Sequence, residues 1–177
     1  MIYFFYIIGF LIILTFAIGA VSAAPWLPTK NKQRQALIKI IPLKKGDVVY
    51  DLGCGDGVVL FDLAKKNKEI KAIGFEISLL PYFIAKIRKA FNLSKYRNVK
   101  IKFRNFFKQD LGDADVVFIF LLSKCYKRLE KKFASELKDD ALVVVEAWPL
   151  PGLEPYKKIK QEKLLSIYFY KGYQFKK

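Results

Sequence analysis

Histidine is absent from the 177 residues, and cysteine occurs only twice, at positions 54 and 125. Without imidazole, the common metal triads and the histidine-based acid–base pairs are excluded. No metal site is expected. The two cysteines fall in a glycine-rich stretch and in a segment that reads as helix, so no disulfide framework is expected and a reducing compartment fits better. Acidic side chains are scarce as well: 16 Asp and Glu face 32 Lys and Arg, a net charge of +16. Such a surface suits nucleic acid, anionic lipid or an acidic partner. Lys far outnumbers Arg, on which sequence-reading nucleic-acid proteins lean, so nucleic acid is the least favoured of the three. Whatever chemistry occurs must run on carboxylates, hydroxyls, backbone groups and positioning.

Charge is missing altogether from the first 29 residues. From Ile2 to Ala24 the chain is apolar apart from Tyr, Thr and Ser, and as a helix this run is about 35 Å long, enough to cross a bilayer with some tilt. A cleaved signal peptide is the rival reading, since Val21-Ser22-Ala23 resembles a cleavage site. No Lys or Arg precedes the run, however, and it exceeds a typical signal core. The first charges beyond it are Lys30, Lys32 and Arg34, which by the positive-inside rule put the C-terminal side in the cytoplasm. We therefore expect residues 1–24 to be a single-pass membrane anchor, residues 25–46 a linker with a short helix, and residues 47–177 one globular domain, present as a monomer. In Pro25-Trp-Leu-Pro-Thr29, Trp26 suits the headgroup level, or the segment folds over a ligand pocket. Asn31 to Ile41 groups Leu37, Ile38, Ile40 and Ile41 on one helical face, and Pro42 ends it.

The soluble part is organised around Val48-Val-Tyr-Asp-Leu-Gly-Cys-Gly-Asp-Gly57. A buried strand runs into an acid, and glycine then recurs at every second place before the helix that starts at Val58. Gly53, Gly55 and Gly57 let a ligand approach the backbone closely, and the helix N-terminus faces it. The dinucleotide fingerprint needs its third glycine where Val58 stands, and the Walker pattern is absent. The next strand ends in Glu76, 19 residues after Gly57, where an acid in a doubly wound fold takes the ribose hydroxyls of a nucleoside. Further along, strands are expected at 99–104, 115–122 and 141–146, with helices at 79–92, started by Ser78, and at 124–137, capped by Ser123. Tyr156–Gln161 and Leu165–Lys171 have no helix between them and read as a closing edge hairpin. The expected architecture is α/β: a doubly wound, Rossmann-like, mostly parallel sheet with one antiparallel edge strand, preceded by the transmembrane helix.

Asp51-x-Gly-x-Gly-x-Gly57 resembles motif I of the class I S-adenosylmethionine (SAM) methyltransferases, whose ligand needs the glycine turn and the acid but no lysine for phosphate. From Pro25 to Lys171 the chain resembles the membrane-anchored protein-lysine methyltransferases, which modify the ATP synthase c subunit and the adenine nucleotide translocase, and their prokaryotic relatives. The anchor, Pro25-Trp-Leu-Pro-Thr29, Asp51–Gly57, Gly74-Phe-Glu-Ile77, Asn105-Phe-Phe107, Ala114-Asp-Val-Val117 with Leu121-Leu122, and Pro149-Leu-Pro-Gly152 carry that likeness. It implies SAM as cofactor, held by Asp51, Gly53, Cys54, Gly55, Gly57, Glu76, Ile77, Asn105, Phe106 and Thr29. Asn105 departs from the subgroup's usual Asp beside the adenine, but an amide still donates and accepts there.

The place after the fourth strand reads Phe120-Leu-Leu-Ser123 rather than Asn/Asp-Pro-Pro-aromatic, which disfavours methylation of adenine or glutamine. An amine acceptor must lose a proton before it attacks. Glu146, at the carboxyl end of the fifth strand, is the candidate for that proton, with Trp148 as a face for the cation; the plainer alternative is that Glu146 caps a loop and Trp148 packs over the sheet end. The expected function is methyl transfer to a lysine of a membrane-associated protein. A lipid-soluble or RNA acceptor, or a non-catalytic SAM-binding membrane module, are the alternatives.

Overall fold

A computed structural model of the chain describes residues 2–23 and 26–176. Ala24 and Pro25, assigned above to the anchor and the linker, lie outside the described residues. Helix α1 (Ile2–Ser22) is followed by α2 (Asn31–Ile40), β1 (Val48–Leu52), α3 (Val58–Lys66), β2 (Lys71–Glu76), α4 (Leu79–Ala90) and β3 (Val99–Phe103). Then come β4 (Val116–Ile119), α5 (Tyr126–Glu136), β5 (Leu142–Glu146), β6 (Lys157–Ile159) and β7 (Ile167–Lys171). Seven strands form one sheet in the order β3-β2-β1-β4-β5-β7-β6. The first five pair in parallel. β7 runs antiparallel to β5 and to β6, so the reversed strand belongs to the expected edge hairpin. The order turns outward on both sides of β1, which makes the crevice above the carboxyl ends of β1, β2 and β4 the natural ligand position.

Alternate strand residues feed two cores. Val49, Val116, Phe118 and Val144 pack under Leu37 and Ile41 of the α2 segment and Leu60, Phe61 and Ala64 of α3. Tyr50, Val117, Ile119 and Val143 pack under Tyr126, Leu129 and Phe133 of α5. Both faces are covered, which is why β4 and β5 read as unbroken apolar runs. Ala23, at the end of α1, is buried in the second core. Helix α1 is thus joined to the domain and does not hang from it on a free linker.

Three local expectations change. Strand β4 ends at Ile119, because Phe120 to Leu122 leave the sheet toward the ligand crevice. Ser123 does not cap α5 with its side chain; it opens a 3₁₀ turn, Ser123–Cys125, that leads into the helix. Ser78 does precede α4, but its side chain makes no cap. The Leu79 N–H instead donates to the Thr15 hydroxyl of α1 at 3.1 Å, so α1 supplies the oxygen that a helix N-terminus needs.

Candidate functional site

The glycine turn leaves β1 with Gly53, Gly55 and Gly57 at φ +82°, +55° and +76°. All three are in the left-handed region, where a Cβ is penalised. The N–H groups of Gly53 and Cys54 both donate to the Phe75 carbonyl at 2.9 Å, which stitches the turn to the end of β2. Arg88 of α4 pins Asp56 at 2.9 Å. Cys54 lies flat against β2: a Cβ at Gly74 would meet its sulfur at 2.6 Å, so the glycine of Gly74-Phe-Glu makes room for the turn. Burial pushes the Cys54 thiol well above its ordinary range and Cys125 up to about 11, which removes both as nucleophiles.

Glu76 is buried at the end of β2. One carboxylate oxygen accepts from Gly55 N–H at 2.8 Å, and the other from Ile77 N–H at 2.8 Å and Ser78 N–H at 2.7 Å. A carboxylate offers about four acceptor positions, so three are spent on fixing the side chain and one is left for a ligand hydroxyl. Asp51 is 3% exposed, and burial first, then Glu76, Glu146 and Asp56, hold its carboxyl well above the usual carboxylate range. Three acids, Asp51, Asp56 and Glu76, thus line one crevice of a strongly basic protein, with Glu146 close enough to act on Asp51. That concentration favours a cationic ligand, which would relieve the repulsion between them.

The crevice is lined by Asp51, Gly53, Cys54, Gly55, Glu76, Ile77, Asn105 and Phe106, with Trp26, Leu27, Pro28 and Thr29 across from them. Gly57 sits just behind, starting α3 against Phe61. Trp26 lies over the turn, within 2.8 Å of where a Gly55 Cβ would be. Its buried indole N–H has no partner. Of the two sequence readings for Trp26, the cover over the pocket is the one observed. Asn105 spends its side-chain oxygen on the Phe107 N–H at 3.0 Å, so toward a ligand it presents chiefly its amide NH₂.

A second cavity adjoins the first. Leu27, Pro28, Thr29 and Phe120 line both, and Gln33, Glu146 and Leu165 close the far side. Glu146, the last residue of β5, is fully buried. One of its oxygens accepts from the Thr29 hydroxyl at a long 3.4 Å, and the other has no partner. Burial raises its carboxyl to about 7, against the opposing pulls of the Thr29 hydroxyl and the Gln33 amide. Gln33 is itself fixed between the two sites: its amide donates to the Leu165 carbonyl at 3.2 Å and accepts from Leu165 N–H at 3.0 Å, which leaves its second N–H for the Glu146 side. Trp148 lines neither cavity. It is 45% exposed and stacks on Phe120 with ring centroids 6.3 Å apart, so Phe120 is the aromatic that faces the cavities and Trp148 backs it.

Thr29 and Glu146 are identifiable from sequence, but not as partners, and Phe120, Gln33 and Leu165 escape it. Nothing in the sequence singles out Phe120, because the apolar run continues past it to Leu122.

Comparison with known proteins agrees with this geometry. The family described as the ANTKMT methyltransferase domain matches residues 51–157. The chain is 35% identical over 144 residues to a protein-lysine N-methyltransferase of Saccharolobus islandicus (strain REY15A), covering 80% of this chain and 88% of that one. It is 30% identical over 132 residues to the human lysine N-methyltransferase of the ATP synthase c subunit. That match takes in 74% of this chain and 54% of the human protein, so the chain spans about half of that relative. An RNA methyltransferase from Salinibacter ruber, solved in complex with S-adenosyl-L-homocysteine, superposes with a TM-score of 0.75 at 22% identity over 82% of this chain and 93% of that chain. At that identity the likeness is one of fold.

Proposed function

This chain belongs to the ANTKMT methyltransferase domain family, and from that premise we propose that it methylates a lysine side chain of a membrane-associated protein, with its domain on the cytoplasmic side of a bilayer that α1 crosses. It is a SAM-dependent enzyme of the protein-lysine N-methyltransferase class, and SAM supplies an electrophilic methyl on a sulfonium. The residues fit that cofactor. Asp51, Glu76 and the turn Gly53–Gly57 would hold its cationic and ribose parts, Ile77, Asn105 and Phe106 its base, and Trp26 would cover it.

One observation carries the acceptor reading: the unpartnered, fully buried oxygen of Glu146 beside the cavity that adjoins the cofactor crevice. A lysine arrives as an ammonium with pKa near 10.4 and must shed a proton to expose its lone pair. A carboxylate of pKa about 7 is ionised often enough at neutral pH to take that proton. The Phe120 ring, backed by Trp148, offers the incoming cation a π face. The wall of Leu27, Pro28 and Thr29 keeps bulk water from the amine. No other group is needed beyond alignment of the amine with the methyl.

The test uses the full chain in nanodiscs, radiolabelled SAM, and membranes and cytosol of the cell of origin, with the label located by mass spectrometry. Label on lysines of membrane proteins, lost in Glu146→Gln, is the expected result. Label in lipid or RNA, or undiminished transfer by Glu146→Gln, would overturn the assignment.

A further inference from the structure

Helix α4 has an apolar stripe with nothing over it. Leu80, Phe83, Ile87 and Phe91 recur at helical spacing and are 40%, 53%, 55% and 83% exposed, while the opposite side, Pro81 and Ala85, is buried. The stripe begins one residue after Leu79, whose N–H bonds Thr15 of α1, and Ser78 Oγ donates to the Thr15 carbonyl at 3.5 Å. It is therefore continuous with the apolar surface of the anchor, whose Ile18 and Val21 are 44% and 78% exposed. Leu27, 65% exposed, adds to this collar.

Length sharpens the point. The part of α1 free of the domain is Ile2–Leu14, which rises about 20 Å at 1.5 Å per residue. The hydrocarbon core is about 30 Å thick. The missing ~10 Å must come from the stretch of α1 already packed against α4, and that is the depth at which amphipathic helices rest in the headgroup boundary. Charge agrees. From Ile77 to Gln109 there is no acid, and Lys86, on α4, and Lys95 and Arg97, just beyond its end, are basic. Arg88 and Lys89 turn inward, to Asp56 of the glycine turn and to the Val99 carbonyl.

We propose that α4 is a second membrane contact: its stripe lies in the headgroup–acyl boundary of an anionic bilayer, with the basic band beside it over the lipid phosphates. The proposal rests on α1 being a bilayer anchor. It makes orientation, and not only proximity, a property of the fold. The face of α4 turned from the lipid carries Arg88 on Asp56, and Ser78 at its start holds Glu76, so the cofactor crevice is held at a fixed height above the lipid.

Nitroxide labels on the full chain in vesicles containing anionic lipid decide the matter. Labels would be placed singly at Phe10→Cys, Phe83→Cys, Ile87→Cys and Tyr173→Cys, all at exposed positions, and the relaxation by oxygen compared with that by a water-soluble nickel chelate. We expect the oxygen-to-nickel ratio at Phe83 and Ile87 to exceed that at Tyr173 several-fold and to approach that at Phe10. A lipid-like Phe10 with water-like Phe83 and Ile87 overturns the proposal and leaves the anchor standing. A water-like Phe10 removes the anchor and the proposal together. If Phe83 is water-like and a single-stranded RNA oligonucleotide shields it, the face belongs to nucleic acid and the proposal fails.

Discussion

The cofactor crevice and the acceptor cavity share a wall, yet they are held by opposite means. In the crevice the decisive groups are fixed by backbone. Three N–H groups grip Glu76, and two more tie the glycine turn to Phe75. The acceptor cavity is held by side chains from four distant places, and its one acid is held loosely, by a long hydrogen bond from the Thr29 hydroxyl and the pull of the Gln33 amide. Under the proposed function, the group that must not move is the over-bonded one, and the group that exchanges a proton is the one left under-bonded in an apolar wall.

Exchanging Glu146 for Gln attacks the contrast at its strongest point. The shape stays and the proton acceptor goes, so kcat should fall by about 10²- to 10⁴-fold with little change in SAM affinity by calorimetry. Wild-type kcat should rise with pH through about 7, as Glu146 ionises. Stability moves the other way. The folded carboxyl binds its proton more tightly than the unfolded one, so ionising it costs stability between about pH 4.5 and 7, by up to about 3 kcal/mol. Glu146→Gln should therefore melt higher than wild type at pH 8 and no higher at pH 4. An inactive variant that is also less stable at pH 8 would mean that Glu146 is structural.

Gly55→Val tests the other pole. A branched side chain at φ +55° is strained, and its Cβ meets the Trp26 ring at 2.8 Å. SAM affinity should drop on the order of a hundredfold. Unchanged affinity would remove the turn from the cofactor site.

The two sites also differ in how far they can be seen in the chain. The crevice is nearly contiguous: Asp51 to Gly57 is one turn, and Glu76 is the end of the next strand, so spacing alone places them. The sheet follows for the same reason, because strand and helix alternate and both faces of β4 and β5 are buried. The acceptor cavity draws on Gln33, Phe120, Glu146 and Leu165, whose meeting depends on the β5–β7 pairing and on the entry of the chain from α1. No local pattern encodes that. Trp148 draws attention because it stands near Glu146 in sequence, while β5 ends between them and turns its ring onto the outer side of Phe120. Equally invisible is the reach of α1, since a polar Thr15 in an apolar helix gives no sign that it caps α4.

Proton linkage should also appear at the crevice. Asp51 is held protonated more than usual by burial and by its acidic neighbours, and a cationic ligand favours its ionised form. SAM affinity should fall as the solution is made more acidic through the raised Asp51 range, and binding should release protons. Calorimetry in buffers of different ionisation enthalpy measures this directly. Proton uptake on binding would reverse the assignment of Asp51.

Thr29 stands on the shared wall, and the smallest predicted effect decides to which side it belongs. The sequence places it with the cofactor; its hydroxyl is observed on Glu146. That bond lowers the Glu146 carboxyl against the effect of burial, so removing it in Thr29→Val should raise the carboxyl further. The wild-type midpoint of the kcat–pH profile, expected near 7, should shift upward by less than about one unit, because one long neutral hydrogen bond contributes about 1 kcal/mol or less. SAM affinity should stay within about twofold if the hydroxyl serves only the acid. A weakened SAM complex with an unmoved profile would return Thr29 to the crevice and make the wall a part of the binding site. If both change, the two sites are one coupled unit, and the division between a bonded pole and a free pole no longer holds at the residue where they touch.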